Sequence, residues 1–331
     1  MIKIMIVGCG GIAHQHAEGC CLAPSAELYG VCDVAQDKAS AFAQKYRTKA
    51  FSSFENVLLD DEVDVVIIST PDETHCNLAV RAMNSGKHVL IEKPFAMSME
   101  QADLIIETSK QTGRKAMCGQ SLRFRNKFLK AREIILSGRI GSVRFVRLAS
   151  PSSPFWNKDT WENNPGRNKN WLQIHNGMHN FDYLCWLLDS MPERLHTEVH
   201  KGQDWIDINE YVSSIIRFKN GAVAISEENR IMPQGYPYHL DFYILGTKGM
   251  LDLSDKLTCN MSIYNNGTMS FPGAFVNDNE YEHPFACEIE ELCQAVINDR
   301  EPMIPLTFSR EVLRWVLKAS MGNMAEVEND R

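Results

Sequence analysis

Along the first 120 residues, short apolar, β-branched runs alternate with stretches whose apolar positions recur at helical spacing. "IKIMIV" (2–7), "AELYGVCD" (26–33), "VDVVIIST" (63–70) and "KHVLIEK" (87–93) read as strands, and helical patterns fall near 12–22, 36–46, 75–84 and 98–112. Strands this continuously apolar are buried on both faces, the signature of a parallel sheet wrapped by helices. This half therefore reads as a doubly wound α/β domain.

After about residue 142 the period changes. Longer alternating runs follow: "SVRFVRLAS" (142–150), "ERLHTEVHKG" (193–202), "EYVSSIIRFKNGAVAISEENR" (210–230), "YHLDFYILGTKGMLDL" (238–253) and "LTCNMSIYN" (257–265). Asn220-Gly221 and Lys248-Gly249 read as hairpin bends. Helical patterns return at 284–298 and 308–327. A chain of 331 residues is too long for one small core, and the change of pattern splits it into 1–120 and 121–331.

Composition narrows the function classes. With 44% hydrophobic and 23% charged residues the chain reads as a soluble globular protein. A net charge of −8 argues against nucleic acid, which needs a concentrated basic face; the basic run "RFRNKFLKAR" (123–132) reads as one solvated helix face. No apolar run reaches the length of a membrane span, and Met1 leads directly into a strand with no leader pattern. Ten cysteines without a C-x-x-C pair read as small buried hydrophobes in a reducing compartment. The cytoplasm is the expected location.

The first strand ends in "GCGGIA", so Gly8, Gly10 and Ala13 fit G-x-G-x-x-A, with Gly11 and Ile12 opening the helix. Gly8 permits a tight turn, Gly10 lets a pyrophosphate approach the backbone, and Ala13 allows close helix packing. Asp33 ends the second strand, where a carboxylate accepts from both ribose hydroxyls and repels a 2′-phosphate. NAD is thus expected over NADP, although Lys38 softens the repulsion. Two further strand ends are polar at the sheet edge where a doubly wound fold places its ligand: "STPDETH" (69–75) and "EKP" (92–94). On residues alone, Glu92-Lys93-Pro94 reads better as a structural turn stiffened by Pro94.

In this order and spacing, "GCGGIA", "VCD", "STPDETH", "IEKPFA" and "GMHNFD" resemble the glucose–fructose oxidoreductase, inositol dehydrogenase and rhizopine-catabolism (Gfo/Idh/MocA) family, over nearly the whole chain. The resemblance implies an N-terminal Rossmann domain and a C-terminal α/β domain on an open, largely antiparallel sheet used for homodimer or homotetramer contacts. It implies hydride transfer between NAD and a carbinol carbon of a sugar, polyol or sugar derivative. Carried over, Lys93 contacts the reacting hydroxyl and His179 is the acid/base group. Gly8, Gly10, Gly11, Ile12, Asp33, Thr70, Pro71, His75, Glu92, Lys93 and Gln120 serve the cofactor. Arg123, Trp161, Arg167, Trp171, His175 and His179 serve the substrate. His16 falls on a packing position near the cofactor.

One departure stands out. Most members carry aspartate four residues before the histidine, and here that position is His175. His175 is therefore kept with Lys93 and His179 in the catalytic set. Gly177 is expected to leave room for cofactor or substrate, and Asp182 to face inward as support. The long segment 151–173 offers Trp156, Trp161 and Trp171 as platforms for sugar C–H faces or, equally, as loop anchors, while Arg167 and Lys169 suit an anionic substituent.

Three other readings stay open. His175 and His179 have the i, i+4 spacing of a zinc site, but no glutamate adjoins them and only Asp182 is near as a third ligand, so no metal is expected. Transient oxidation could serve elimination or epimerisation with no net cofactor turnover. A dinucleotide-sensing regulator would share the fold, yet would be expected to lose Lys93 or His179.

Overall fold

The computed structural model describes residues 1–154, 170–202, 206–255, 262–265, 268–270, 283–322 and 325–326. The chain divides into two compact units, one comprising 1–125 and 281–310 and the other 126–280 and 311–331.

In the first unit, strands β1 (Ile2–Val7), β2 (Ala26–Cys32), β3 (Lys49–Phe51), β4 (Val65–Ile68), β5 (His88–Glu92) and β6 (Ala116–Gly119) form one sheet in the order β3-β2-β1-β4-β5-β6. Every pairing is parallel. This is the doubly wound arrangement read from the sequence, and its order reverses between β1 and β4. All four residues of β4 are buried, which is why "VVII" shows no alternation. Helices α1 (Gly11–Leu22), α2 (Gln36–Tyr46), α3 (Phe54–Leu59), α4 (His75–Asn84) and α5 (Met99–Thr112) connect the strands. Ser98 caps α5 by accepting from the Gln101 amide at 3.2 Å, and Gly113, at φ +67°, ends it in the left-handed conformation.

The sequence pattern gave all of 121–331 to the second domain, whereas the segment bearing α8 (Pro284–Ile297) groups with the first unit. Its packing explains why. A Cβ at Gly19 of α1 would lie 2.9 Å from the Phe285 carbonyl carbon, and Glu290 accepts from both the backbone amide and the hydroxyl of Ser25 at 2.8 Å. A small residue on α1 lets α8 lie directly against it.

His88 makes this unit sensitive to acid. Its Nδ1 accepts from the Lys115 amide at 2.8 Å, and burial, with Arg114 and Lys115 against Asp64 and Asp299, lowers its pKa from 6.5 to about 4. The unfolded chain therefore takes up this proton first, so stability is lost as pH falls from about 6.5 towards 4. After solvent screening at a partly open site, the loss is roughly 1–2 kcal/mol. Thermal melts at pH 7 and 4.5 should show a smaller acid-induced fall for His88→Asn than for the wild type; equal falls would assign the acid sensitivity elsewhere.

The second unit holds α6 (Asn126–Leu136), α7 (Trp171–Leu188) and strands β7 (Val143–Pro151), β8 (Pro192–Lys201), β9 (Asn209–Phe218), β10 (Val223–Asn229), β11 (Asp241–Gly246), β12 (Gly249–Asp252), β13 (Ser262–Asn265), β14 (Thr268–Ser270) and β15 (Ala325–Glu326). Their order is β14-β13-β12-β11-β7-β10-β9-β8-β15, antiparallel throughout except for the parallel pair β7 and β10. Alternation is clear in β10, where Ala224, Ser226 and Glu228 are the buried positions.

Three sequence details shift. Gly221, at φ +87°, turns the β9–β10 hairpin as expected. The β11–β12 bend instead falls on Thr247-Lys248, whose amides donate to Ser142 and Ile140, leaving Gly249 inside β12. The last helix, α9 (Leu306–Ser320), stops short of 327 ahead of Gly322 at φ +63°, and Ala325–Glu326 pairs with β8. The basic run is not wholly solvated either. Lys127 is buried and pairs with Asp255 at 3.0 Å, while the buried Arg123 guanidinium lies 4.4 Å from the centre of the Phe308 ring. Among the described residues no helix is long and apolar enough to cross a membrane.

Candidate active site

At the β1–α1 turn, Gly8 sits at φ +96°, its amide donating to the Cys32 carbonyl at 2.8 Å. A Cβ there would lie 2.5 Å from the Ser69 carbonyl oxygen, so both conformation and space require glycine. Gly10 and Gly11 differ: a Cβ on either would meet no atom within 4 Å. Open backbone thus leads into α1, whose first turn has no side-chain cap and no acidic residue. Unpaired helix amides favour an anionic group at that end. Ala13 is fully buried and Ile12 is exposed.

Asp33 follows β2. Its two carboxylate oxygens accept at 2.8 Å from the amides of Cys9 and Ala35, fixing the group beside the glycine turn with further lone pairs available. Lys38 is exposed in the first turn of α2. An open glycine backbone, an uncapped helix start and a tethered carboxylate on adjacent strand ends fit a dinucleotide.

The carboxyl ends of β4 and β5 bring the other first-unit residues to the same sheet edge. Thr70 is half-buried, with Oγ1 2.6 Å from the Thr74 hydroxyl, and Pro71 is exposed. His75 is buried, its Nε2 2.8 Å from the Thr70 carbonyl and its Nδ1 2.8 Å from that of Pro94. Glu92 is buried and Lys93, which follows it, is half-buried; the Lys93–Pro94 peptide is cis. Glu92 Oε1 is 2.8 Å from His16 Nε2, and Oε2 accepts from the Lys93 amide at 3.1 Å. Burial opposes ionisation of Glu92, but the His16 hydrogen bond and the charges of His16, Lys93 and His75 outweigh it and hold the carboxyl below its ordinary range. Gln120 and Arg123, just after β6, are both buried.

In the second unit, α7 carries the histidines. Along 171–185 only His175, Asn176 and His179 are not buried, a narrow stripe on an otherwise enclosed helix. The His175 ring stacks on Trp171, centroids 4.5 Å apart and planes at 20°. Trp171 is itself buried and clusters with Leu172, Ile206 and Ile208. Gly177 does not open onto that stripe: a Cβ there would lie 2.7 Å from Gln173 Nε2, so the amide one turn earlier fills the space expected for a ligand. Asp182 is buried, as expected. Trp156, Trp161, Arg167 and Lys169 lie outside the described residues. Among the described residues no three His, Cys, Asp or Glu side chains are placed to share a metal ion.

Sequence reading missed two buried polar groups. One is the His16–Glu92 pair, which a carboxylate at a buried strand end should have signalled. The other joins α7 to the sheet: Asn180 Nδ2 donates to Glu228 and, at 3.3 Å, to Ser226 Oγ, while Ser150 Oγ donates to Glu228 at 3.1 Å. Its signal was a glutamate on the inward phase of β10.

An open glycine turn and a tethered carboxylate at the ligand edge of a doubly wound sheet define a dinucleotide-binding class of protein. Residues 2–120 match the Gfo/Idh/MocA oxidoreductase family with its NAD-binding Rossmann fold, and 128–252 match the Gfo/Idh/MocA C-terminal domain. The chain belongs to this family. It is 25% identical over 254 residues to an inositol 2-dehydrogenase of Rubrobacter xylanophilus, covering 76% of this chain and 71% of the relative. In fold it is similar to an oxidoreductase domain protein of Kribbella flavida (TM-score 0.85, 18% identity, 99% of both chains). It is also similar to a scyllo-inositol dehydrogenase of Lactobacillus casei determined with NAD(H) and scyllo-inositol (TM-score 0.81, 20% identity, 99% of both chains).

Proposed function

We propose that this protein moves a hydride between NAD and a carbinol carbon of a sugar, polyol or sugar derivative. The observation that carries the reading is Lys93: an ionisable side chain at the carboxyl end of β5, on the strand edge that also carries the glycine turn and Asp33. Gly10, Gly11 and the start of α1 hold the pyrophosphate, Asp33 the adenosine ribose, and Thr70, Pro71, His75 and Gln120 line the same edge. When bound, NAD supplies the nicotinamide ring that accepts or returns the hydride. Lys93 donates to the reacting oxygen and stabilises the negative charge that develops on it. His179 takes the hydroxyl proton, or returns it in the reverse direction. Arg123 and His175 contribute to substrate selection, and His175 is where preference departs from members with aspartate.

Inositol dehydrogenase among the relatives supports the polyol class. A homodimer or homotetramer through the open sheet face is part of the reading, supported by Ile215, exposed on the outward phase of β9 opposite half-buried Ile225 of β10, as is a cytoplasmic location. The test is a thermal-shift screen of inositols, sugars, amino sugars and sugar acids with saturating NAD, followed by turnover of the hits at the nicotinamide absorbance band. Reduction of NAD is expected, with NAD bound about tenfold more tightly than NADP, equivalent to about 1.4 kcal/mol. Product formed without absorbance change would replace dehydrogenation by elimination or epimerisation. Tight NAD binding with no turnover of any hit would leave a regulator.

A further inference from the structure

We propose that His16 is a positioning residue for Lys93, acting through the Glu92 carboxylate. The inference rests on the reading of Lys93 as the group that meets the reacting hydroxyl.

His16 lies in the second turn of α1, 0% exposed, and its Nε2 is 2.8 Å from Glu92 Oε1. Its Nδ1 has no hydrogen-bond partner among the described residues, and Phe285 of α8 closes over the ring edge-on, with centroids 4.9 Å apart. Among those residues Glu92 alone orients the imidazole by hydrogen bonding, so Nε2 donates and the carboxylate accepts. The other carboxylate oxygen accepts from the Lys93 amide at 3.1 Å, so the group His16 fixes is the one that fixes the Lys93 backbone. From β6, Gly119 backs the carboxylate: a Cβ there would lie 3.6 Å from Glu92 Cδ. From α4, His75 completes the frame with Nδ1 2.8 Å from the Pro94 carbonyl and Nε2 2.8 Å from that of Thr70. The charged and titratable groups facing Glu92 are thus His16, Lys93 and His75, and together they hold its carboxyl below the ordinary range. A histidine buried inside the first helix is an expensive way to glue a helix to a strand. Its placement makes sense as support for the one half-buried ionisable side chain at that strand end.

The test uses the full chain with His16→Leu, His16→Gln, Glu92→Gln and Lys93→Ala. NAD affinity, thermal midpoint, kcat and KM for a polyol hit are measured. Acetic anhydride labelling without NAD gives the acetylation rate of Lys93 relative to the exposed Lys110. In His16→Leu that relative rate should change at least about threefold and kcat fall about tenfold, with KM and NAD affinity within about twofold. His16→Gln keeps an amide donor and should recover most of both. Should the leucine variant fail to fold, Glu92→Gln carries the same comparison. A folded His16→Leu or Glu92→Gln protein with wild-type Lys93 labelling and wild-type kcat overturns the inference. Near-wild-type turnover by Lys93→Ala would instead overturn the reading of Lys93 itself, while labelling still decides whether His16 positions that side chain.

Discussion

With alanine in place of Lys93, kcat for a polyol substrate should fall by about 10³-fold while NAD still binds within about twofold of wild type. The size follows from what an ammonium does at that point. As the carbinol hydride departs, negative charge accumulates on oxygen, and a donor aimed at that charge stabilises the transition state more than the ground state. NAD affinity should survive because the residues that fit the dinucleotide, Gly8, Gly10, Gly11 and Asp33, belong to the ends of β1 and β2. Glu92 stays paired with His16 in this variant, so folding should be little changed. Lys93→Arg should not rescue, because a planar fork cannot place the compact charge and rotatable donors of an ammonium in the same position. The measurement is steady-state kinetics with NAD binding followed independently. A joint loss of NAD affinity and turnover would make Lys93 a cofactor anchor.

Legibility from the sequence followed the range of the interactions involved. The parallel sheet was readable because strands such as "VVII" are buried on both faces, and the glycine turn because Gly8 and Asp33 answer purely local demands of backbone and strand end. The polar frame around the site was not. His16 and Glu92 lie 76 residues apart, and Lys127 and Asp255 lie 128 apart; no local period joins either pair. The return of α8 to the first unit is likewise invisible along the chain, since it depends on Gly19 leaving α1 bare enough for Phe285 to approach. Gly177 illustrates the converse error. A glycine beside two candidate histidines suggested space for a ligand, but Gln173, one turn earlier, occupies it. Helical neighbours at i, i+4 compete for such gaps before any ligand does.

His179→Ala should lower kcat by about 10²–10³-fold and remove the pH-dependent limb of kcat that proton transfer contributes, whereas His175→Ala should act mainly on KM. The two imidazoles share a stripe of α7, but their surroundings separate them. His175 is stacked on Trp171, and that indole is held in the core against Leu172, Ile206 and Ile208, so the imidazole is held in place on the stripe. His179 precedes Asn180, which anchors the helix to Glu228 and Ser226 of β10; the adjoining backbone is therefore held while the imidazole stays half-buried. A proton carrier needs this combination of fixed position and access. His175→Asp sharpens the comparison: it restores the carboxylate usual in the family but forfeits the stack on Trp171. A gain on neutral polyols with unchanged kcat limbs would make residue 175 a selector of substrate. A displaced pH profile in His175→Asp with an unchanged profile in His179→Ala would exchange the two roles, because the imidazole that transfers the proton is the one whose removal erases the limb.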